Sequence, residues 1–197
     1  MSEKLLGNSS KGRLFVVSAP SGTGKSTLVE KLVREFPEAV VRSRSTTTRA
    51  PRGHEKPGVD YDFVSREEFE KETDFLERAE IYGNLYGTRK SVVENFLAKG
   101  KHVVLVIDTQ GALHLKGKME AVFIFISPPS FEELKRRLQA RHTEDLEAVA
   151  KRLEWSKSEM TKRSQYDYNV VNDDLETAYQ ILKSIFIAEE HKIDGTN

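Results

Sequence analysis

An α/β fold built on a parallel sheet is predicted by three observations on the 197-residue chain. Short, nearly continuous apolar runs alternate with stretches of helical periodicity. The first of these runs ends in a glycine-rich loop that opens directly onto a helix. No run approaches the roughly 18 apolar residues that cross a bilayer, so each reads as a strand buried on both faces.

The elements follow in order. Arg13 to Ser18 (RLFVVS) is a β-branched and aromatic strand, and STLVEKLVREF after the loop places Leu28, Leu32 and Phe36 four apart on one helical face. VVLVI (Val103 to Ile107), AVFIFI (Ala121 to Ile126) and YNVVN (Tyr168 to Asn172) are the later strands. With a short second strand before Arg42 they make a five-stranded parallel sheet flanked by helices. Ser65-x-x-Glu68, Ser91-x-x-Glu94 and Ser130-x-x-Glu133 fit the capping box, which marks three helix starts, with Gly100 ending the second helix. Leu175, Ala178, Leu182, Ile185 and Phe186 carry a final helix onto the sheet.

Two stretches interrupt the alternation. Residues 43–90 hold short alternating pieces and Gly/Pro turns, as expected of an inserted subdomain of mixed structure. Residues 136–152 are strongly charged and read as a mobile lid or a solvated helical hairpin. The core then comprises residues 13–42, 91–135 and 153–197 of one domain, behind a flexible leader over residues 1–12.

Composition narrows the function. With 31 Lys+Arg against 31 Asp+Glu, the zero net charge discourages coating of nucleic acid or an anionic membrane. Absence of cysteine removes disulfides, thiol catalysis and cysteine-rich zinc sites. The five histidines, His54, His102, His114, His142 and His191, show no metal-ligand spacing and read as surface or turn residues. The opening MSEKLLGNSSKGR lacks a signal peptide's apolar centre, so a soluble cytoplasmic protein is expected.

Chemistry concentrates first in Ala19, Pro20, Ser21, Gly22, Thr23, Gly24, Lys25, Ser26 and Thr27. A phosphate-binding loop needs glycines where backbone wraps an anion, a Lys for the terminal phosphates and a hydroxyl for Mg²⁺. Gly22, Gly24, Lys25 and Ser26 supply them, although Ala19 stands where the pattern has its first glycine. Asp108, just past VVLVI, reads either as the strand-end carboxylate that holds Mg²⁺ beside Ser26 or as a helix N-cap. Arg42 to Arg52 (RSRSTTTRAPR) holds four arginines and no acid. Such a run is a solvated face, a nucleic-acid contact or, next to a phosphate loop, a dock for a second phosphorylated substrate. Asp60 to Glu80 carries nine acids and three basic residues, so a basic strip adjoins an acidic one.

STTTRAPR, Glu55, DYDFVS, FLERAEIYGNLYGT, IDTQGA and VNDDL, after APSGTGKST, together resemble guanylate kinase over nearly the whole chain. That resemblance implies a P-loop NTPase fold with a GMP-binding insertion at 43–90 and a lid at 136–152. It also implies transfer of the γ-phosphoryl group of ATP to GMP, and to dGMP, with Mg²⁺ as cofactor. Matching positions assign Arg49, Arg52, Tyr61 and Tyr86 to the GMP phosphate and Ser45, Glu77 and Thr88 to guanine, with Asp108 at the GMP and metal side. Arg137, Arg141 and Arg152 match lid arginines on the ATP phosphates, and Asn172 the adenine side. Lys25, Arg49, Arg137 and Arg152 are the expected catalytic residues. Departures are His54, Val106 in place of an acid two before Asp108, and Ala140 and His142 in place of lid glycines. Partners on this reading are ATP and GMP, with neither nucleic acid nor membrane, in a monomer or small homo-oligomer. The rivals are a non-catalytic guanylate-kinase-like scaffold module and a kinase for another mononucleotide.

Overall fold

The computed structural model describes residues 5–53, 55–140 and 146–193, without the side chains of 146–149. His54, Arg141 and His142 lie outside the described residues. The first half of the chain runs β1 (Leu14–Ser18), α1 (Lys25–Glu35), β2 (Val40–Arg42), β3 (Ser45–Thr47), β4 (Tyr61–Phe63), α2 (Arg66–Lys71), β5 (Phe75–Ile81), β6 (Asn84–Arg89) and α3 (Lys90–Ala98). The second half runs β7 (His102–Val106), α4 (Thr109–Leu115), β8 (Val122–Ser127), α5 (Phe131–Gln139), α6 (Leu146–Thr161), a 3₁₀ turn at Lys162–Gln165, β9 (Tyr168–Val171) and α7 (Leu175–Glu190).

Five strands form a wholly parallel sheet in the order β2-β7-β1-β8-β9. Each apolar run is a strand within a residue or two of its expected bounds. Alternation along β1 divides the core. Phe15 and Val17 face α1 and α7, through Leu28, Leu32, Leu182 and Phe186, while Leu14 and Val16 face α3 and α4, through Val93, Ala112 and Leu115. Phe15 stacks on Phe186 with ring centroids 3.7 Å apart, and truncating either ring to Ala removes about 3–5 kcal/mol of packing. Residues between β2 and α3 form a second, four-stranded sheet in the order β4-β3-β6-β5, with α2 beside it.

Of the three expected capping boxes, Ser65 is complete, its hydroxyl accepting from the Glu68 amide at 3.1 Å while Glu68 accepts from the Ser65 amide at 2.7 Å. Ser130 caps α5, but Glu133 turns to Arg136 and Arg137 instead of closing the box. Ser91 is not a cap. The helix begins two residues earlier, after Arg89, because the Asp74 carboxylate takes both the amide and the hydroxyl of Ser91.

The segment expected to be a flexible leader is tied down from Leu6, which is buried in the main core. The Glu190 carboxylate accepts the amides of Gly7, Asn8 and Ser9 at 2.7–3.0 Å. It also meets His102 Nε2 at 3.0 Å. Since His102 Nδ1 accepts from the Arg13 amide, Nε2 is the nitrogen that donates to Glu190. His102 is therefore fully buried and structural, which corrects its reading as a surface residue. Burial pushes the Glu190 carboxyl up, yet these donors outweigh it and hold the group below the ordinary value.

Candidate active site

Between the phosphate loop and the four-stranded sheet lies a cleft of ≈ 370 Å³. Its floor is the carboxyl end of β1 and β7, where ligands of open parallel sheets bind. Residues Ala19, Pro20, Ser21, Gly22, Thr23, Gly24, Lys25, Ser26 and Thr27 form one wall. Gly24 sits at φ 85°, and a Cβ there would come 2.5 Å from Asn172 Nδ2, so both conformation and space demand glycine. No side chain caps α1 and no acid occupies its first turn, which leaves the first amides of a positive helix end facing the loop. Lys25 Nζ donates to the Ala19 carbonyl at 3.3 Å. Burial lowers the Lys25 pKa, and the charges of Glu159 and Asp108 partly restore it.

Asp108 takes the N-cap role, one of the two its position allowed. Its Oδ1 caps α4 by accepting from the Gly111 amide at 2.9 Å, while Oδ2 is buried with no hydrogen-bond partner. Burial raises its pKa, against the opposing bond from Gly111 and the charge of Lys25. A carboxylate oxygen left over beside the Ser26-bearing loop suits Mg²⁺, which uses one or two carboxylates and keeps most of its waters. Among the described residues no group of three or more His, Cys, Asp or Glu is placed to hold a metal.

The opposite wall is a row of side chains set by strand register. Tyr61 pairs with Ser45 across β4 and β3, Ser45 with Thr88 across β3 and β6, and Thr88 with Glu77 across β6 and β5. Thr88 Oγ1 donates to Glu77 Oε1 at 2.7 Å, and both residues are buried. Behind them α4 packs so closely that a Cβ on Gly111 would stand 2.6 Å from Glu77 Oε2. Burial raises the Glu77 pKa to about 7, the Thr88 hydroxyl opposing and the Asp108 charge adding to the rise.

Two residues along β6, Tyr86 begins the basic end. Arg49 Nε donates to the Tyr86 hydroxyl at 3.2 Å and Nη2 pairs with Glu55 at 2.9 Å. The Arg49 guanidinium lies 5.4 Å from the Tyr61 ring centre, and Glu55 also accepts the Arg52 amide at 2.8 Å. Arg52, Tyr61 and Tyr86 line the cleft.

The lid side agrees less closely with expectation. Arg152, on α6, reaches the loop, its Nη1 3.3 Å from Ser21 Oγ. Arg137 does not face the cleft: its guanidinium holds Glu133 and the carbonyls of Asn172 and Asp173. Asn172 is not open to a base either, because it is buried and donates to the Thr23 carbonyl at 2.7 Å, bracing the loop from behind. Arg141 lies outside the described residues.

Trp155, Ser156 and Glu159 line the cleft beside Arg152 and were not anticipated. They fall three, four and seven residues after Arg152, one face of a helix, so helical spacing carried the signal. Burial raises the Glu159 pKa to about 7, with Lys25 opposing.

The chain is similar to known proteins over nearly its whole length. A family described as guanylate kinase matches residues 11–189. The chain is 54% identical over 190 residues to the guanylate kinase of Protochlamydia amoebophila (strain UWE25), covering 95% of this chain and 96% of that one. It is 53% identical over 184 residues to the guanylate kinase of Chlamydia trachomatis serovar D, covering 92% and 90%. A crystal structure of guanylate kinase from Anaplasma phagocytophilum superposes with a TM-score of 0.76 at 37% identity, covering 96% of this chain and 90% of that one.

Proposed function

The chain belongs to the guanylate kinase family and phosphorylates GMP to GDP with ATP, and we propose that it does so in this cleft, with each substrate on one wall. The observation that carries the assignment of walls is the buried Glu77 in the row Tyr61, Ser45, Thr88 and Glu77, of which Tyr61, Ser45 and Glu77 line the cleft opposite the phosphate loop while Thr88 supports Glu77 from its side. Guanine presents a ring N–H and an amino group on one edge. An ionised Glu77 accepts from both, whereas adenine would bring an acceptor against it. Ser45 and Thr88 complete the base contacts, and Arg49, Arg52, Tyr61 and Tyr86 hold the phosphate at the basic end.

On the other wall, residues 19–27 cradle the ATP phosphates with backbone amides and the Lys25 ammonium. Ser26 and the free Asp108 oxygen would hold Mg²⁺, which neutralises phosphate charge when bound. Arg152 approaches from α6 to the loop, and Arg137 joins it when the lid, residues 136–152, closes. Arg137 must first leave the carbonyls of Asn172 and Asp173, so closure includes a rearrangement at the end of α5. A phosphate oxygen of GMP then attacks the γ-phosphorus in line, the bond from that phosphorus to the β,γ-bridging oxygen breaks, and ADP leaves with the electron pair. This chain contributes positioning, charge neutralisation and exclusion of water, and forms no covalent intermediate.

dGMP is an acceptor on the same reading, since the named contacts reach base and phosphate. The enzyme acts in the cytoplasm as a monomer or small homo-oligomer. No helix among the described residues is long and apolar enough to cross a membrane. Coupled ADP release across GMP, dGMP, AMP, UMP and TMP tests the proposal. Turnover with GMP and dGMP at least 100-fold above the others is expected, and equal turnover with AMP would overturn the role given to Glu77.

A further inference from the structure

We propose that Tyr82 and Trp155 form an aromatic strut that couples GMP binding to placement of Arg152 on the ATP side. The inference rests on the assignment of the two walls given above. Tyr82 and Gly83 are the two-residue turn of the β5–β6 hairpin, closed by the Ile81–Asn84 pair. Both turn residues have positive φ, 50° and 76°, the geometry of a type I′ turn. Asn or Gly adopts that conformation readily and a tyrosine does not. Tyr82 is nevertheless there, half its surface exposed, as the sole positive-φ residue other than glycine among those described. Its ring meets Trp155 of α6 at 5.7 Å between centroids, tilted by 51°.

The two ends of this contact belong to the two substrate walls. Tyr82 directly follows the strand that carries Glu77, and Glu77, Ala79, Ile81 and Tyr82 all line the cleft. Trp155 lies three residues after Arg152 on the same helical face, and Arg152 reaches Ser21 in the phosphate loop. The helix therefore spans the cleft, held by a cation at the loop and by an indole at the hairpin tip. Because this contact ties the hairpin tip of one wall to the helix that carries Arg152 on the other, a substrate that orders one end favours the placement of the other, and each substrate tightens the other by the same factor. Tyr82 and Trp155 are positioning residues on this account, acting through Arg152.

The test uses the whole enzyme and Tyr82→Asn, which keeps the left-handed turn while removing the ring, together with Tyr82→Phe and Trp155→Leu. Calorimetry measures the Kd of a non-hydrolysable ATP analogue with and without saturating GMP. In the parent enzyme GMP tightens the analogue, and an aromatic pair sets the scale at about three- to tenfold. Tyr82→Asn and Trp155→Leu abolish that tightening, the double variant loses no more than either single one, and Tyr82→Phe retains it. The chain has a single tryptophan, so emission from Trp155 gives a second readout. It shifts on adding GMP alone in the parent and does not in Tyr82→Asn. Unchanged tightening in Tyr82→Asn, with GMP still bound, would overturn the strut and leave the walls intact. Failure of GMP to bind the parent enzyme would overturn the wall assignment along with it.

Discussion

The two walls of the cleft, proposed above for ATP and for GMP, are built by different means. The ATP wall is mainly backbone: a loop between β1 and α1, shaped by Gly24, with free amides at the helix start and one ammonium, Lys25. The GMP wall is made of side chains projecting from four strands, aligned by register so that Tyr61, Ser45, Thr88 and Glu77 fall in one row. A backbone cradle recognises phosphate, which every nucleoside triphosphate carries, whereas a row of donors and acceptors distinguishes one base from another. On the proposed assignment, generality and selectivity are placed on opposite sides of one site.

If the walls are separable, damage to one leaves the other's affinity in place. Lys25→Met gives the largest expected effect, a fall of about 10²–10³-fold in kcat, the scale for removing one donor aimed at developing charge. Calorimetric GMP affinity stays within about twofold. Asn172→Ala attacks the same wall from behind by leaving the Thr23 carbonyl without its donor. A loss of about 1–3 kcal/mol in urea unfolding is expected, with weaker ATP binding and unaltered GMP binding.

The next test belongs to the GMP wall alone. With the Glu77 pKa near 7, the ionised acceptor that guanine needs is depleted in acid. GMP affinity is expected to weaken about tenfold from pH 8 to pH 6, beyond any change seen in Glu77→Gln, while the ATP analogue shows no such excess. Stability moves in the opposite sense. A carboxyl whose folded pKa is raised stabilises the protein below its unfolded value of 4.5, and that contribution is lost as pH rises toward about 7. Thermal unfolding of the empty protein from pH 5 to 8 checks this sign against Glu77→Gln. The smallest effect is expected from Ser65→Ala, which removes the α2 cap for about 1 kcal/mol and leaves selectivity unchanged.

The same contrast explains what could be read from the chain. β1, the loop and α1 are contiguous, and apolar run, glycines and helical period all point to one local structure. The guanine row joins Ser45, Glu77 and Thr88 from three strands, and no local pattern specifies that register. Those residues were reached through the resemblance of ordered motifs instead. Trp155, Ser156 and Glu159 had a local signal, the helical spacing from Arg152, but lay beyond the charged stretch that drew notice. His102 and Glu190 are 88 residues apart, and only the folded chain shows that they anchor the segment before β1. Ser91 had the right spacing for a cap, and Asp74, distant in sequence, decided otherwise.

On the proposed reading, Glu77 confers selectivity for guanine on a wall separate from the phosphate loop. The most direct test is calorimetric titration of GMP, AMP and a non-hydrolysable ATP analogue into the enzyme and its Glu77→Gln variant. A hydrogen bond to a charged group sets the scale, so GMP affinity should fall about 10- to 150-fold, with the preference over AMP shrinking accordingly and the ATP analogue unaffected. GMP binding undiminished in the variant, or an equal loss for the ATP analogue, would contradict the account.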